Sequence, residues 1–273
     1  MGKHSKESRF AKSIKKIGQR NTKMPFLQRC LLIVFILIFV ISAIILFKWY
    51  VETSNSEKQY QQLSNDVNKD SENQEKDVSV DFGKLKEINS DVVGWIKINE
   101  TNIDYPIVQK NDNDYYLNKN FYNKDDRTGA IFVDYKNKND FTDINTVIYG
   151  HNIKRGTMFA DLEDIYNGKL GKNVEINIDT PTQHLKYIVF SSYNIEPEDY
   201  GINTSISSNN YLEFKENLAK KSKISFEQNI ESQSNILTLS TCDRTGRRRI
   251  LVHAQCVNGD GPFWQPNNNN LFK

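Results

Sequence analysis

From residue 92 onward, apolar and polar positions alternate with a period of two in short runs: "VVGWIKI" (92–98), "IDYPIVQ" (103–109), "AIFVDY" (130–135), "NTVIYGH" (145–151), "VEINI" (174–178), "LKYIVFSSYNI" (185–195), "NILTLSTC" (235–242) and "RILVHAQCV" (249–257). Alternation over this length, bounded by turn residues, marks strands with one face buried. About eight such strands in one stretch predict a mainly β domain, a closed barrel or a sandwich. In the seventh run Ile236, Thr238, Ser240 and Cys242 share one face, and Leu237, Leu239 and Thr241 share the other. Cys242 therefore stands at a strand end, on the more polar face.

Helical spacing appears in three places. A short helix is expected around residues 82–88. In "TMFADLEDI" Thr157 is placed to cap a helix on which Met158, Leu162 and Ile165 recur on one side. In residues 209–223, Tyr211, Phe214 and Leu218 form an apolar stripe opposite a charged face. Before all of these, residues 30–47, "CLLIVFILIFVISAIILF", carry no charge. As a helix this run spans ~27 Å, close to the hydrocarbon thickness of a bilayer.

Charge changes the picture at the N-terminus. Between Lys3 and Arg29, lysines and arginines recur against one acidic residue, Glu7. A basic flank before an apolar run predicts a membrane anchor with a cytoplasmic N-terminus and everything after Lys48 outside. A cleaved signal peptide would have a shorter charged region, a shorter apolar core and a small-residue cleavage site. Residues 51–80 are poor in large apolar residues and rich in Ser, Asn, Gln and charge, and read as a stalk or loosely helical spacer. The expected organisation is a basic leader (1–29), a membrane-spanning anchor in contact with lipid (30–47), a stalk (48–80), a folded β domain (81–257) and a surface tail (258–273).

Cysteine usage fits neither a disulfide scaffold nor a zinc protein, since Cys30 lies in the apolar run and only Cys242 and Cys256 lie beyond it. A bond between those two would consume the strand-end thiol of Cys242, and Cys256 falls in the apolar pattern of Ile250, Val252 and Ala254, where a small buried hydrophobe is the simpler reading. "GKLGKN" (168–173) lacks the spacing of a phosphate loop. The sequence calls for no metal, no cofactor and no nucleic-acid partner.

A strand-end thiol reacts as thiolate only beside a base and a positive charge. His151 ends the strand "TVIYG" between glycines, where side chains face a site rather than a core; His184 in a turn reads as surface and His253 inside the last strand as structural. Arg247, Arg248 and Arg249 open the last strand, and parity turns Arg248 to the opposite face from Arg249. Ser240, Thr241 and Tyr149 flank the cysteine and histidine as possible donors, or as strand packing.

"VIYGHN", "LTLSTC" and "RILVHAQ", in that order, resemble the sortases, membrane-anchored cysteine transpeptidases of Gram-positive cell surfaces. "VVGWIKINETNIDYPIVQKNDNDYYLNKNF", "GAIFVDYKN", "YGHNIKRGTMFADLEDI" and the helix-bearing insertion before "NILTLSTC" resemble the class B branch. The resemblance implies an eight-stranded sortase-type β-barrel with a few helices behind an N-terminal transmembrane helix. It further implies Cys242 as nucleophile, His151 as acid/base partner and Arg249 as stabiliser of the substrate carbonyl, with Arg247 the competing arginine, and it places Asn113, Leu117 and Tyr149 along a substrate groove. The partners it implies are secreted proteins with a Pro-x-Thr-type sorting motif and an amine of the peptidoglycan precursor or cross-bridge. A cysteine peptidase that hydrolyses the thioester, a pilin-polymerising sortase and a tethered binding protein with an inert thiol are the alternatives; an L,D-transpeptidase is disfavoured, because no Ser-His-Gly precedes the cysteine.

Overall fold

The strands are β1 (Val92–Ile98), β2 (Asp104–Val108), β3 (Ile131–Val133), β4 (Asn145–Tyr149), a small hairpin of β5 (Asn152–Ile153) and β6 (Thr157–Met158), β7 (Glu175–Asp179), β8 (His184–Ile195), β9 (Ile236–Cys242) and β10 (Arg249–Cys256). These belong to a computed structural model that describes residues 25–67, 80–153, 156–196, 202, 206–226, 234–242 and 247–258. Among the described residues the strands close in the order β1-β2-β3-β4-β9-β10-β8-β7, with β5-β6 apart. The β2–β3 and β4–β9 ladders are parallel and the others antiparallel. Of the closed barrel and the sandwich that the alternation allows, the fold is the eight-stranded barrel that the sortase resemblance implies.

The two faces of β9 and β10 explain that alternation. Leu237, Leu239, Ile250, Val252, Ala254 and Cys256 join the main core, whereas Ile236 and Leu251 join a second cluster with Phe190, Tyr193, Tyr211 and Leu218. The second cluster covers the outer face with the insertion between β8 and β9. Its helix α4 (Tyr211–Lys220) buries Tyr211 and Leu218, as their spacing predicts.

Two local expectations change, those for Thr157 and His184, and the reading of Cys256 as a small buried side chain holds. Thr157 caps nothing: Thr157 and Met158 form β6 opposite Asn152 and Ile153, and helix α3 (Leu162–Tyr166) begins a turn later. His184 is not a plain surface side chain, since its Nδ1 lies 2.6 Å from Asp179 Oδ1. No disulfide joins Cys242 to Cys256, which is buried in the core.

Upstream, helix α2 (Phe82–Ile88) is capped by Asp81, whose carboxylate accepts from the Gly83 and Lys84 amides. Helix α1 (Phe26–Val67) includes the apolar run, and its residues Phe26–Lys48 are long and apolar enough to cross a membrane. The chain divides into two compact units, Met1–Glu52 and Thr53–Lys273. Where the sequence suggested a stalk, the end of α1 thus belongs to the same unit as the barrel, with Ser56, Tyr60, Leu63 and Val67 buried. The expected leader up to residue 24 and the tail from 259 lie outside the described residues.

Candidate active site

Cys242 is the last residue of β9, and Arg249, the first of β10, stands directly opposite it in the antiparallel ladder. Paired residues in such a ladder project to the same face within ~5.5 Å between Cα atoms. That face is the barrel's exterior, since its other members, Ser240 opposite Leu251 and Thr238 opposite His253, alternate with the core residues. Arg249 Nη1 donates to Ser240 Oγ at 3.4 Å, along the strand from the thiol. Arg247 and Arg248 precede the strand and are exposed, and Arg248 pairs with Glu196 at 2.7 Å.

The parallel β4–β9 ladder brings the histidine to the same rim. Tyr149 is level with Ser240, and the Gly150 amide donates to the Ser240 carbonyl at 3.2 Å. Gly150 has no room for a side chain, because a Cβ there would lie 2.7 Å from the Phe159 ring. His151 follows at once. Its Nε2 lies 2.8 Å from the Leu117 carbonyl, and a carbonyl only accepts, so Nε2 carries a proton and Nδ1 is the nitrogen left for chemistry. The Phe159 amide donates to the His151 carbonyl at 2.9 Å, holding the backbone as Leu117 holds the ring.

Asn152, next in the chain, donates through Nδ2 to the Cys242 carbonyl at 2.9 Å and reaches Glu163 Oε1 at 3.3 Å. This side chain ties the histidine loop directly to the end of the cysteine strand. Asp134 plays a comparable part on the other flank: it is buried, and its Oδ2 accepts from the Tyr149 hydroxyl at 2.9 Å and from Asn113 Nδ2 at 2.9 Å. Burial first, then the Asp134 charge, raises the pKa of the Tyr149 phenol, partly offset by Arg249. Tyr149 accordingly remains a neutral donor.

The residues named from sequence divide accordingly. Cys242, Arg249, Ser240, Tyr149 and His151 gather at one rim, with Leu117 joined through its carbonyl and Asn113 through Asp134. Thr241 does not belong with them. Opposite the core residue Ile250 and 1% exposed, it turns its side chain into the barrel, because parity along β9 sends neighbours to opposite faces. His253 is structural, as expected: its Nδ1 meets Thr238 Oγ1 at 2.9 Å and its ring stacks on Tyr193.

Asn152 and Asp134 were not singled out from sequence. The first stood in the quoted "YGHN" and the second ended the run "AIFVDY", but their partners lie 90 and 15 residues away. Local patterning carries no sign of such bonds.

Cys242 thus stands opposite Arg249 across one ladder, and its backbone carbonyl is tied to the histidine loop through Asn152. A Sortase domain model matches residues 96–257. The chain belongs to the sortase family. Within it, similarity is to the class B branch, so this sortase is a cysteine transpeptidase of that type. It is 32% identical over 239 residues to sortase B of Staphylococcus aureus, covering 85% of this chain and 98% of that protein. It is 37% identical over 161 residues to sortase B of Listeria monocytogenes, covering 58% of this chain and 65% of that one. A Bacillus anthracis structure described as similar to sortase B matches with a TM-score of 0.65 at 34% identity, over 76% of this chain and 98% of that one. The S. aureus sortase B–substrate complex matches with a TM-score of 0.64 at 29% identity, over 77% and 100%.

Proposed function

We propose that this sortase cleaves a C-terminal sorting signal of secreted proteins through a thioester on Cys242 and transfers the new acyl end to a cell-wall amine. The observation that carries the reading is the placement of Arg249 opposite Cys242 while Asn152 ties the His151 loop to the Cys242 carbonyl. Cys242 gives its thiol proton to Nδ1 of His151, the thiolate Sγ attacks the scissile carbonyl, and Arg249 donates to the oxyanion as it forms. Collapse expels the amine, which takes its proton from Nδ1 of His151. The acceptor amine then attacks the thioester, gives its proton back to Nδ1, and releases the thiolate.

The S. aureus relative's occurrence as a substrate complex supports a peptide site on the shared barrel. Here that peptide carries a Pro-x-Thr-type motif and lies along Asn113, Leu117 and Tyr149. The basic flank before the apolar run supports a single-pass anchor with a cytoplasmic N-terminus and the barrel outside. Peptidoglycan precursor or cross-bridge supplies the amine.

Product analysis tests the reading. A Pro-x-Thr peptide library with an added oligoglycine amine should give an amide-linked product that is lost in Cys242→Ala. A hydrolysed peptide as sole product, unaffected by the amine, would contradict it.

A further inference from the structure

Four buried residues of α1, Ser56, Tyr60, Leu63 and Val67, recur at spacings of four, three and four, the signature of one helix face laid against a partner. The surface they meet is not only sheet. Tyr60 sits in the main core, 4% exposed, and both capacities of its hydroxyl are used on the segment between β2 and β3. It accepts from the Phe121 amide at 3.0 Å and donates to the Gly129 carbonyl at 3.4 Å. Ser56 bonds to Asp126 in the same segment. Asp126 in turn binds the Thr128 amide and hydroxyl at 2.9 and 2.7 Å and accepts from Asn120 at 3.2 Å.

This segment carries the Leu117 carbonyl that holds His151 Nε2. Its regular structure among the described residues is one 3-10 turn (Tyr115–Leu117) and a bridge between Lys119 and Asp125; bonds within the segment, such as the Asp126 amide to the Asn118 carbonyl and the Ala130 amide to the Tyr116 carbonyl, both at 3.0 Å, are joined by those from α1. Gly129 is the nearest point of Tyr60's grip to the imidazole: a Cβ on it would meet the Tyr116 carbonyl at 2.6 Å, the Leu117 carbonyl at 2.9 Å and His151 Cδ2 at 3.1 Å. A second route runs through the rings. Tyr60 meets Tyr105 edge-on at 5.3 Å, the Tyr105 hydroxyl accepts from the Met158 amide at 3.2 Å, and the next amide, Phe159, holds the His151 carbonyl. Tyr60 thus adjoins both the support of the His151 ring and the support of its backbone.

We propose that the end of α1 is a working part of the active site and that Tyr60 is a positioning residue for His151, acting through the Leu117–Gly129 segment. The proposal rests on His151 being the proton-transfer partner, as argued above. Packing alone would not require a phenol: a phenylalanine would fill the same space and keep the contact with Tyr105. Burial raises the Tyr60 pKa, so its hydroxyl stays neutral and keeps its proton for Gly129. Misplacement of a catalytic group by ~1 Å costs up to about 10²-fold in rate, so a small shift of Leu117 is enough to be read. The catalytic unit then begins near Thr53 rather than at Asp81, on the same helix that carries the apolar run.

The test uses the full chain in detergent micelles. Tyr60→Phe removes both hydrogen bonds and keeps the ring; Ser56→Ala removes the contact with Asp126 and leaves Tyr60 in place; Gln61→Ala, at an exposed neighbour, is the control. Four readouts are compared: kcat and KM for a cleaved peptide, the pH profile, the His151 imidazole titration by NMR, and the rate of Cys242 alkylation by iodoacetamide. Tyr60→Phe should lower kcat about tenfold with KM changed by less than about twofold, and should move the His151 titration and the pH profile together. Ser56→Ala should do the same more weakly, and Gln61→Ala should match wild type. A Tyr60→Phe protein that melts lower but keeps the wild-type kcat, pH profile and His151 titration would overturn the proposal and leave Tyr60 as packing. Should Tyr60→Phe fail to fold, Ser56→Ala decides by the same readouts. If wild type cleaves no sorting peptide, the functional reading fails separately, while titration and alkylation still decide whether Tyr60 positions His151.

Discussion

Arg249 and Cys242 face each other across the ladder of β9 and β10, the first residue of one strand against the last of the other. This register distinguishes three consecutive arginines. Arg249→Lys should lose about 10²–10³-fold in kcat/KM, the usual cost of one oxyanion donor, since an ammonium keeps the charge without the planar fork. Arg247→Ala should stay within about threefold of wild type. Steady-state peptide cleavage checks both, and an inactive Arg247→Ala beside an active Arg249→Ala would mean the wrong arginine had been assigned.

Asn152 joins the histidine loop to the cysteine strand through one bond to the Cys242 carbonyl. Asn152→Ala should lower kcat by about tenfold, ~1.4 kcal/mol of barrier, while leaving the melting temperature within a few degrees. Asn152→Asp should be worse, because a carboxylate oxygen would face a carbonyl oxygen. Circular dichroism melts beside initial rates separate the two effects.

Gly129 has φ +61, and a side chain there would press on the Tyr116 and Leu117 carbonyls and on His151. Gly129→Ala should destabilise the domain by about 1 kcal/mol or more from backbone conformation alone and reduce cleavage beyond what the loss of folded protein explains. Activity per folded molecule, after correction by denaturant titration, is the quantity to compare.

His253 is buried, and desolvation, with Lys221 adding to it, depresses its pKa to about 3. The unfolded chain holds this proton up to the ordinary range near ~6.5 while the native state does not, so stability is full above that range and falls with pH down to about 3. The slope is at most about 1.4 kcal/mol per pH unit. In His253→Phe the acid limb of urea-derived stability should flatten between those limits. An unchanged slope would mean that other groups drive the acid transition.

The strands were legible because period two survives wherever a strand has one buried face, and β9 and β10 show it residue by residue, while closure into a barrel rather than a sandwich was legible only from the resemblance. The rim was legible for a different reason: Cys242, His151 and Arg249 all sit at strand ends, where the alternation stops. Thr241 shows the limit of adjacency, since it neighbours Cys242 in sequence yet shares the core face with Leu237 and Leu239. The end of α1 was hidden by composition. Its apolar residues Tyr60, Leu63 and Val67 lie among Ser, Asn, Gln and charge, and the fourth member of the stripe is a serine. A helix face that docks through hydroxyls leaves little hydrophobic pattern to read.

The covalent intermediate is the most direct point of contact between this account and experiment. Intact-mass spectrometry of the full chain, mixed with a cleavable sorting peptide and quenched in acid, should show an adduct equal to the N-terminal peptide fragment. Hydroxylamine should remove the adduct, and it should map to Cys242, persist in Cys256→Ala and disappear in Cys242→Ala. Cleavage that continues in Cys242→Ala, or an adduct that maps to Cys256, would contradict it.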